Sequence, residues 1–428
     1  MEAVIRNTEA LAVTPQRIDA LAIAEAGYAA VNVAESLRRR VRLVDGKLSV
    51  GEFSYPVAGR RVRFIGIGKC AITAARAVEE ILGGMLTDGV ALDVSGAEKD
   101  HLKTVEAHIG THPLPSEENV RAAERITTFL VNGRDDDLVI MLISGGGSTL
   151  LCLPGGDTTC TDERMLFKEL TRRGAPIEDL NTVRKHTSRI RGGGLAAAAY
   201  PAEILSFIVS DVPGNDLSII ASGPTVRDTT TTADARAVLA RYGYTTPIEL
   251  LETSKEGKYF ERVRNLLFLS NEDALKAMQE EASRRGYAAT IADNGLVGEA
   301  QEVAKRIETE LRAAPSKTVL LYAGETTVTL PENAGAGGRN QELALAALEG
   351  LQKNELVLPF ASDGHDNTDH AGAIADAVTQ AHALAKRLVP GEYLRTHRSY
   401  DFFSTTGDAL QTGYTGSNVS DFVIALKQ

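Results

Sequence analysis

The chain has 428 residues, of which 43% are hydrophobic and 24% are charged, and its formal net charge is −11. This length predicts two or three domains. The acidic balance argues against nucleic acid as a partner, because phosphate backbones bind basic faces. No apolar run approaches the length of a membrane helix, and residues 1–16 lack the pattern of a signal peptide. We therefore expect a cytoplasmic protein with no membrane partner.

The first half of the chain alternates predicted helices and strands. It opens with one long helix over residues 15–40, where apolar residues recur at helical spacing. Strands are predicted at residues 62–67, 89–94, 105–109, 138–143 and 204–209, and helices at residues 71–82, 116–131 and 161–173 and from residue 181 towards residue 192. This alternation predicts βαβ units and a parallel sheet.

The second half repeats the alternation after a weakly patterned stretch, residues 245–264, which indicates a crossing between domains. Strands are predicted at residues 266–269, 288–292, 318–322, 356–361 and 422–426, helices at residues 272–285 and 299–312, and a short strand and a helix between residues 327 and 351. The predicted fold is α/β with two domains, residues 1–250 and 251–428. Each domain is expected to have a mainly parallel or mixed sheet flanked by helices, and the first to be Rossmann-like.

A glycine-rich loop follows the most apolar predicted strand, residues 138–143. It consists of Ser144, Gly145, Gly146, Gly147 and Ser148. Glycines at a strand end let the backbone turn tightly and present N–H groups to an anion such as phosphate or carboxylate. A plain glycine turn without a ligand is the alternative interpretation of this stretch alone.

Lysine and arginine residues stand beside several of these loops. Lys69 follows Gly66 and Gly68 at the end of another predicted strand, without the spacing of a Walker motif. At the carboxyl edge of an open α/β sheet it can face a ligand, although a surface lysine in a turn is the alternative. The densest basic cluster begins after Asn181 and includes Arg184 and Lys185.

Carboxylates occupy further predicted strand ends. Asp211 and Asp216 follow residues 204–209, and they can hold Mg²⁺, orient a hydroxyl or cap a turn. Glu325 follows residues 318–322, and Asp363 follows residues 356–361. A second glycine loop, with Gly337, Gly338, Arg339 and Asn340, opens a predicted helix.

Together these groups form the inventory of phosphoryl transfer, which needs positioning, charge neutralisation and a metal ion. No G-x-S-x-G motif and no zinc-type set of His and Cys is present in the sequence. His365 and His370, which stand among aspartates, are interpreted as polar residues filling a loop.

Long, ordered motifs resemble those of the class II glycerate kinases, the glycerate 2-kinases whose C-terminal half is called the MOFRL domain. They are LISGGGSTLL, NTVRKHTSRIRGGGLA, IVSDVPGNDLSIIASGPT, AGETTVTL, GAGGRNQELAL and TGYTGSNVSDF, and the resemblance covers about residues 17–426. Lys69 and Arg339 match the lysine and arginine that are functionally important in that family. The segment ASDGHDNTDHAGA departs from the family's usual loop, since Asn367 replaces a glycine and His370 an alanine.

The resemblance implies ATP- and Mg²⁺-dependent phosphorylation of D-glycerate at its 2-hydroxyl, giving 2-phospho-D-glycerate, in a cleft between a Rossmann-like domain and a smaller MOFRL-type domain. In the resulting hypothesis, the loop of residues 144–148 with Asn181, Arg184 and Lys185 holds the substrate. Lys69 and Arg339 neutralise the transferring phosphoryl group, in part with Gly337, Gly338 and Asn340. Asp211 is the favoured base or metal-side carboxylate, and Asp216, Glu325 and Asp363 are the candidate metal ligands.

Two other functions remain open at this point. Members of this family have been labelled hydroxypyruvate reductases, but residues 66–71 match the dinucleotide fingerprint G-x-G-x-x-G only in part. A non-catalytic sugar-acid sensor would not need so many carboxylates. The sequence leaves the oligomeric state open, a homodimer included.

Overall fold

The structure, a computed structural model, describes residues 3–96, 99–331 and 333–428. The chain forms two compact units. The central unit is Val33–Phe268, and the terminal unit combines Met1–Asn32 with Leu269–Gln428. These boundaries differ from the predicted division into residues 1–250 and 251–428. The N-terminal residues belong to the same unit as the C-terminal part. The last strand of the central sheet lies wholly after residue 250 in the sequence.

The predicted long helix over residues 15–40 is wrong, because the helix is interrupted where the chain passes from one unit to the other. A short helix α1 (Thr8–Leu11) precedes α2 (Pro15–Ala30), and α3 (Val33–Arg40) begins the central unit. The Ser417 hydroxyl donates a hydrogen bond of 2.7 Å to the carbonyl of Val31. A continuing helix would need that carbonyl for its own hydrogen bonds.

The central unit is built on a six-stranded sheet. Its strands are β4 (Val62–Ile67), β5 (Leu86–Asp93), β6 (Val105–Ile109), β7 (Leu138–Ile143), β8 (Glu203–Val209) and β9 (Val263–Leu269), after a small antiparallel sheet of β1 (Val41–Val44), β2 (Lys47–Val50) and β3 (Phe53–Pro56). The strand order is β6-β5-β4-β7-β8-β9, and the pairings from β6 to β8 are parallel. This is the order of a doubly wound Rossmann sheet, so the predicted fold is confirmed.

The central unit also contains helices. They are α4 (Ala71–Leu82), α5 (Glu117–Val131), α6 (Gly147–Leu150), α7 (Cys160–Arg172), α8 (Ile177–His186), α9 (Gly194–Ala199) and α10 (Thr232–Arg241). The predicted helix from residue 181 towards residue 192 begins earlier and ends at His186. Gly192 and Gly193 have φ values of 56° and 86°, which a right-handed helix does not use. The three cysteines, Cys70, Cys152 and Cys160, are buried free thiols.

The terminal unit contains a mixed sheet. Its further elements are α11 (Asn271–Arg284), β10 (Ala288–Leu296), α12 (Ala300–Ala313), β11 (Thr318–Gly324), α13 (Arg339–Leu348), β12 (Glu355–Ala361), β13 (Gly372–Ala373), β14 (Ala375–Asp376), α14 (Ala377–Ala385), α15 (Pro390–Arg395), α16 (Ser399–Thr406), β15 (Ala409–Leu410) and β16 (Asp421–Lys427). Strand β16 runs antiparallel between β11 and β12. The predicted short strand after residue 327 is wrong, since only an isolated bridge joins Thr327 to Glu299. Over the described ranges, every helix is too short or too polar to cross a membrane.

Candidate functional site

In the central unit, Lys69 and the glycine loop meet where the strand order reverses. Strands β4 and β7 are neighbours, and the loops that follow them hydrogen-bond to each other. The Ser144 N–H donates to the Ile67 carbonyl at 2.9 Å, and the Lys69 N–H donates to the Gly145 carbonyl at 3.0 Å. Open α/β sheets bind ligands in the crevice at this point. The structure therefore brings these two predicted features together.

The junction is so tight that it requires glycine. Gly68 has a φ of 115°, and a Cβ there would lie 2.7 Å from the Ser144 carbonyl oxygen and 2.9 Å from that of Gly145. Gly146 also has a positive φ, 83°, and a Cβ on it would lie 3.4 Å from Cγ of Lys69 and 3.5 Å from Cδ2 of His112. The Lys69 side chain thus passes directly beside the glycine loop.

The N-terminus of α4, next to Lys69, is occupied by a carboxylate of the protein itself. Asp93 accepts hydrogen bonds from the N–H groups of Ile72 at 3.0 Å and Val94 at 2.7 Å. Burial raises the pKa of Asp93 to about 6, although these N–H groups oppose the shift. In a dinucleotide-binding fold this helix N-terminus would face the pyrophosphate. Here the Ile72 amide is already used.

Asn181 reaches the glycine loop through a serine. The hydroxyls of Ser148 and Ser222 lie 3.1 Å apart, and Ser222 donates to Oδ1 of Asn181 at 2.6 Å. Arg191 belongs to the same basic cluster in the sequence but was not predicted as a site residue. It donates through Nη2 to the Ser148 carbonyl at 2.6 Å and to Oε1 of Glu163 at 2.7 Å. Its position directly before three glycines is the feature of the sequence that could have identified it as a site residue.

Arg184 and Lys185 are adjacent in the sequence and were predicted to act together, but they lie in different surroundings. Lys185 forms an ion pair of 3.2 Å with Asp228, and both side chains are buried. Although burial raises the pKa of Asp228, Lys185 and the Thr230 hydrogen bonds hold it below its usual value. Lys185 is therefore already engaged by a carboxylate of the protein. The Arg184 guanidinium lies over the Phe167 ring, 4.6 Å from its centroid.

Asp211 and Asp216 also separate. Asp211 follows β8 at the same edge of the sheet as the loops after β4 and β7. Burial, together with the negative charges of Asp93 and Asp211, raises the pKa of the Cys70 thiol to about 12, so Asp211 lies within electrostatic reach of the β4–α4 turn. Asp216 is exposed and accepts the Ser218 N–H at 2.8 Å. Its position fits the turn-capping interpretation.

In the terminal unit, carboxylates hold Arg339 at the start of α13. Its Nη1 lies 3.0 Å from Oε2 of Glu325, and its Nη2 lies 3.1 Å from Oδ2 of Asp421. Burial raises the pKa of Asp421 well above its ordinary value despite Arg339, and the neighbouring carboxylates add to that shift. Burial lowers the pKa of Arg339, but Asp421 and Glu325 outweigh it, so the guanidinium stays charged. Asp421 was not singled out, although it closes the segment TGSNVSD.

The second glycine loop differs from the anion-binding loop that was predicted. The buried carboxylate of Asp366 accepts the N–H groups of Asn340 at 3.0 Å and Gln341 at 2.8 Å, so it caps the N-terminus of α13. A Cβ on Gly338 would collide with Asp366, and one on Gly337 with Ser399. These glycines therefore allow close packing around the cap.

The three predicted metal ligands are divided between the two units. Asp216 belongs to the central unit, whereas Glu325 and Asp363 belong to the terminal unit. Asp363 lies in a turn, where its Oδ1 accepts the His365 N–H at 3.0 Å. Within residues 3–96, 99–331 and 333–428, no three His, Cys, Asp or Glu side chains are arranged to hold a metal ion. Mg²⁺ commonly uses only one or two carboxylates together with substrate phosphates, so Glu325 and Asp363 have suitable donor atoms.

The fold defines an α/β protein with a Rossmann-order sheet in one unit and a mixed sheet in the other. The family described as "Domain of unknown function (DUF4147)" matches residues 19–253, and the MOFRL family matches residues 318–421. Over 409 residues the chain is 36% identical to a glycerate 2-kinase of Pyrococcus horikoshii, with 90% of this chain and 91% of the relative covered. Over 383 residues it is 34% identical to a D-glycerate 2-kinase of Thermotoga maritima, with 86% and 90% covered.

A crystal structure of the Thermotoga maritima glycerate kinase superposes with a TM-score of 0.84 at 30% identity, covering 97% of this chain and 100% of that one. A putative hydroxypyruvate reductase of Agrobacterium vitis is 37% identical over 377 residues, with 83% of this chain and 85% of the relative covered. The chain belongs to the class II glycerate kinase family, as its motifs predicted.

Proposed function

We propose that this protein is a D-glycerate 2-kinase that transfers the γ-phosphoryl group of ATP to the 2-hydroxyl and releases 2-phospho-D-glycerate. The observation that carries the proposal is the junction of Lys69 with the glycine loop at the switch point of the sheet, in a chain whose relatives are named glycerate 2-kinases. Lys69 on the central unit and Arg339 on the terminal unit are proposed as the two cations of the active site, as the family resemblance implies.

The proposed division of labour follows from charge. Phosphoryl transfer develops negative charge on the transferring group, and fixed cations and N–H groups stabilise it without reorganisation. On the central unit, Lys69 and the N–H groups of residues 144–148 are proposed to stabilise this negative charge. Arg339, held by Glu325 and Asp421, supplies it on the terminal unit. Asp211 is proposed to orient the 2-hydroxyl and to accept its proton.

Mg²⁺ is proposed as the metal ion, and when bound it neutralises phosphate charge. Asp363 and Glu325 are the residues that would hold it, because the negative charges of both act on Asp421, the ion-pair partner of Arg339. Asp216, like Asp363, uses one carboxylate oxygen to accept a backbone N–H of its own turn, so it stays a candidate as well.

The name of the Agrobacterium vitis relative makes a hydroxypyruvate reductase the rival activity. The position of Asp93 argues against it. An acidic residue about twenty positions after the fingerprint should bind a ribose hydroxyl. Asp93 has that spacing, but it is 2% exposed and its carboxylate accepts backbone N–H groups at the start of α4 and just after β5.

A coupled assay tests the proposal. Purified protein with Mg-ATP and D-glycerate should yield a product that enolase consumes without added phosphoglycerate mutase. A requirement for the mutase would place the phosphate on the 3-hydroxyl and contradict the assignment. Oxidation of NADH or NADPH by hydroxypyruvate, followed at 340 nm without coupling enzymes, would instead support the reductase. Absence of ATP turnover with bound D-glycerate would support a sensor.

A further inference from the structure

A cavity of about 280 Å³ adjoins the glycine loop of the central unit. One wall is the segment of Pro113–Pro115, and Ser148 and Thr149 form its edge. Arg184 on α8 and five residues of α7 line the rest, namely Glu163, Arg164, Phe167, Lys168 and Thr171. The Thr149 hydroxyl donates to the Pro113 carbonyl at 3.3 Å, which ties the first wall to the loop.

Arg184 differs from the other buried cations of this region. Arg191 is paired with Glu163, and Lys185 with Asp228. The Arg184 guanidinium stacks on Phe167, and within the described part of the chain it has no hydrogen bond or ion pair. Burial and the positive charge of Arg191 lower the pKa of Arg184 to about 10, while the negative charge of Glu163 opposes the shift. A half-buried cation without an ion-pair partner of its own is costly unless a ligand supplies the negative charge.

We propose that Arg184 binds the carboxylate of the substrate and thereby selects acids over neutral polyols. The inference rests on the proposed function and adds the group that recognises the substrate class. A guanidinium offers two parallel N–H donors that match a carboxylate, and stacking on Phe167 fixes the plane of that fork. The cavity borders Ser148, and Lys69 passes beside Gly146 of the same loop. A small 2-hydroxy acid held at Arg184 therefore has its hydroxyl end near the glycine loop.

The charge of the cavity lining favours an anion. Besides Arg184, two exposed cations, Arg164 and Lys168, line the cavity, and the negative charge of Glu163 is shared with Arg191. Arg184 is the least exposed of the three cations, so its attraction for a carboxylate is the least screened by water. Lys185 does not compete for this role, because Asp228 already neutralises it.

The test compares Arg184→Ala and Arg184→Lys with Arg172→Ala. Arg172 is an exposed arginine on α7 that pairs with Glu169, so its removal controls for the loss of one positive charge. Binding of D-glycerate and of D-glyceramide, the neutral amide of the same acid, is measured by calorimetry without nucleotide. KM values for D-glycerate and ATP are measured separately.

Arg184→Ala should weaken D-glycerate binding roughly 30-fold to 1,000-fold, the usual cost of truncating a buried charge pair. Its KM for D-glycerate should rise with kcat changed far less, and its preference for glycerate over glyceramide should be lost. Arg184→Lys should keep part of the preference, and Arg172→Ala should match the wild type.

A rise in the KM for ATP alone would assign Arg184 to a nucleotide phosphate and overturn the inference. An unchanged affinity for D-glycerate in folded Arg184→Ala would overturn it as well, whatever the kinase assay shows. Arg184-dependent binding of D-glycerate by a protein that transfers no phosphate would contradict the proposed function and leave the carboxylate site standing.

Discussion

Substituting Gly68 with alanine tests the junction between Lys69 and the glycine loop. The φ of 115° at Gly68 disfavours any L-residue, and a new Cβ would lie 2.7 Å and 2.9 Å from two carbonyl oxygens of the loop. A positive φ costs an alanine about 1–2 kcal/mol. Pushing two backbone segments apart adds about 1–3 kcal/mol, as overpacking does elsewhere. We therefore expect the free energy of unfolding to fall by about 2–5 kcal/mol in total.

Gly59→Ala is the matched control, because Gly59 has a φ of 76° but no heavy atom within 4 Å of the position of a Cβ. It should lose only the conformational part, about 1–2 kcal/mol. Both variants are unfolded in urea and followed by far-ultraviolet circular dichroism, since the chain contains no tryptophan. Displacement of the loop by Gly68→Ala should also lower kcat/KM by about a hundredfold, whereas Gly59→Ala should leave it unchanged. If Gly68→Ala is as stable and as active as Gly59→Ala, the loops do not meet as described.

Three further predictions separate chemical from structural roles. Lys69→Ala should lower kcat by about a hundredfold or more with an unchanged thermal melt, and a variant with wild-type kcat would show that Lys69 does not act on the phosphoryl group. Lys185→Ala should remove the nearest cation of Asp228 and leave Lys255 at 3.6 Å, so it should cost about 1–3 kcal/mol in urea unfolding. A large rise in the KM for D-glycerate in folded protein would instead return Lys185 to the binding site. The folded pKa of Asp93, about 6, lies above the value of an unfolded chain. Its contribution to stability is therefore greatest at low pH and falls by up to about 3 kcal/mol between about pH 4 and pH 6. Asp93→Asn should lack this slope, and identical slopes would contradict the raised pKa.

The sequence predicts the central sheet well because its strands are continuous apolar runs. Strand β7 is buried along its whole length, and such a run between turn residues is typical of a parallel sheet covered on both faces. The break after α2 could not be predicted in this way. It depends on Ser417, which lies 386 residues from Val31 along the chain.

The candidate site shows the same limit. Lys69 and the glycine loop were predicted because strand ends at one sheet edge must be neighbours. Arg184 and Lys185 look alike in the sequence, and only their tertiary partners, Phe167 and Asp228, separate them. The cap that Asp366 forms on α13 also comes from a residue distant in sequence. The glycine loop before α13 therefore gave no sign that the N–H groups of the helix N-terminus already bind a carboxylate of the protein.

The central claim is phosphoryl transfer to the 2-hydroxyl of D-glycerate. The most direct measurement is NMR of the product formed from D-glycerate and Mg-ATP, with Lys69→Ala as the control for contaminating kinases. Phosphorus-to-proton coupling at the C2 proton, formed by the wild type and strongly reduced in the variant, is the predicted result. Coupling to the C3 protons, or a product formed equally well by Lys69→Ala, would contradict the account.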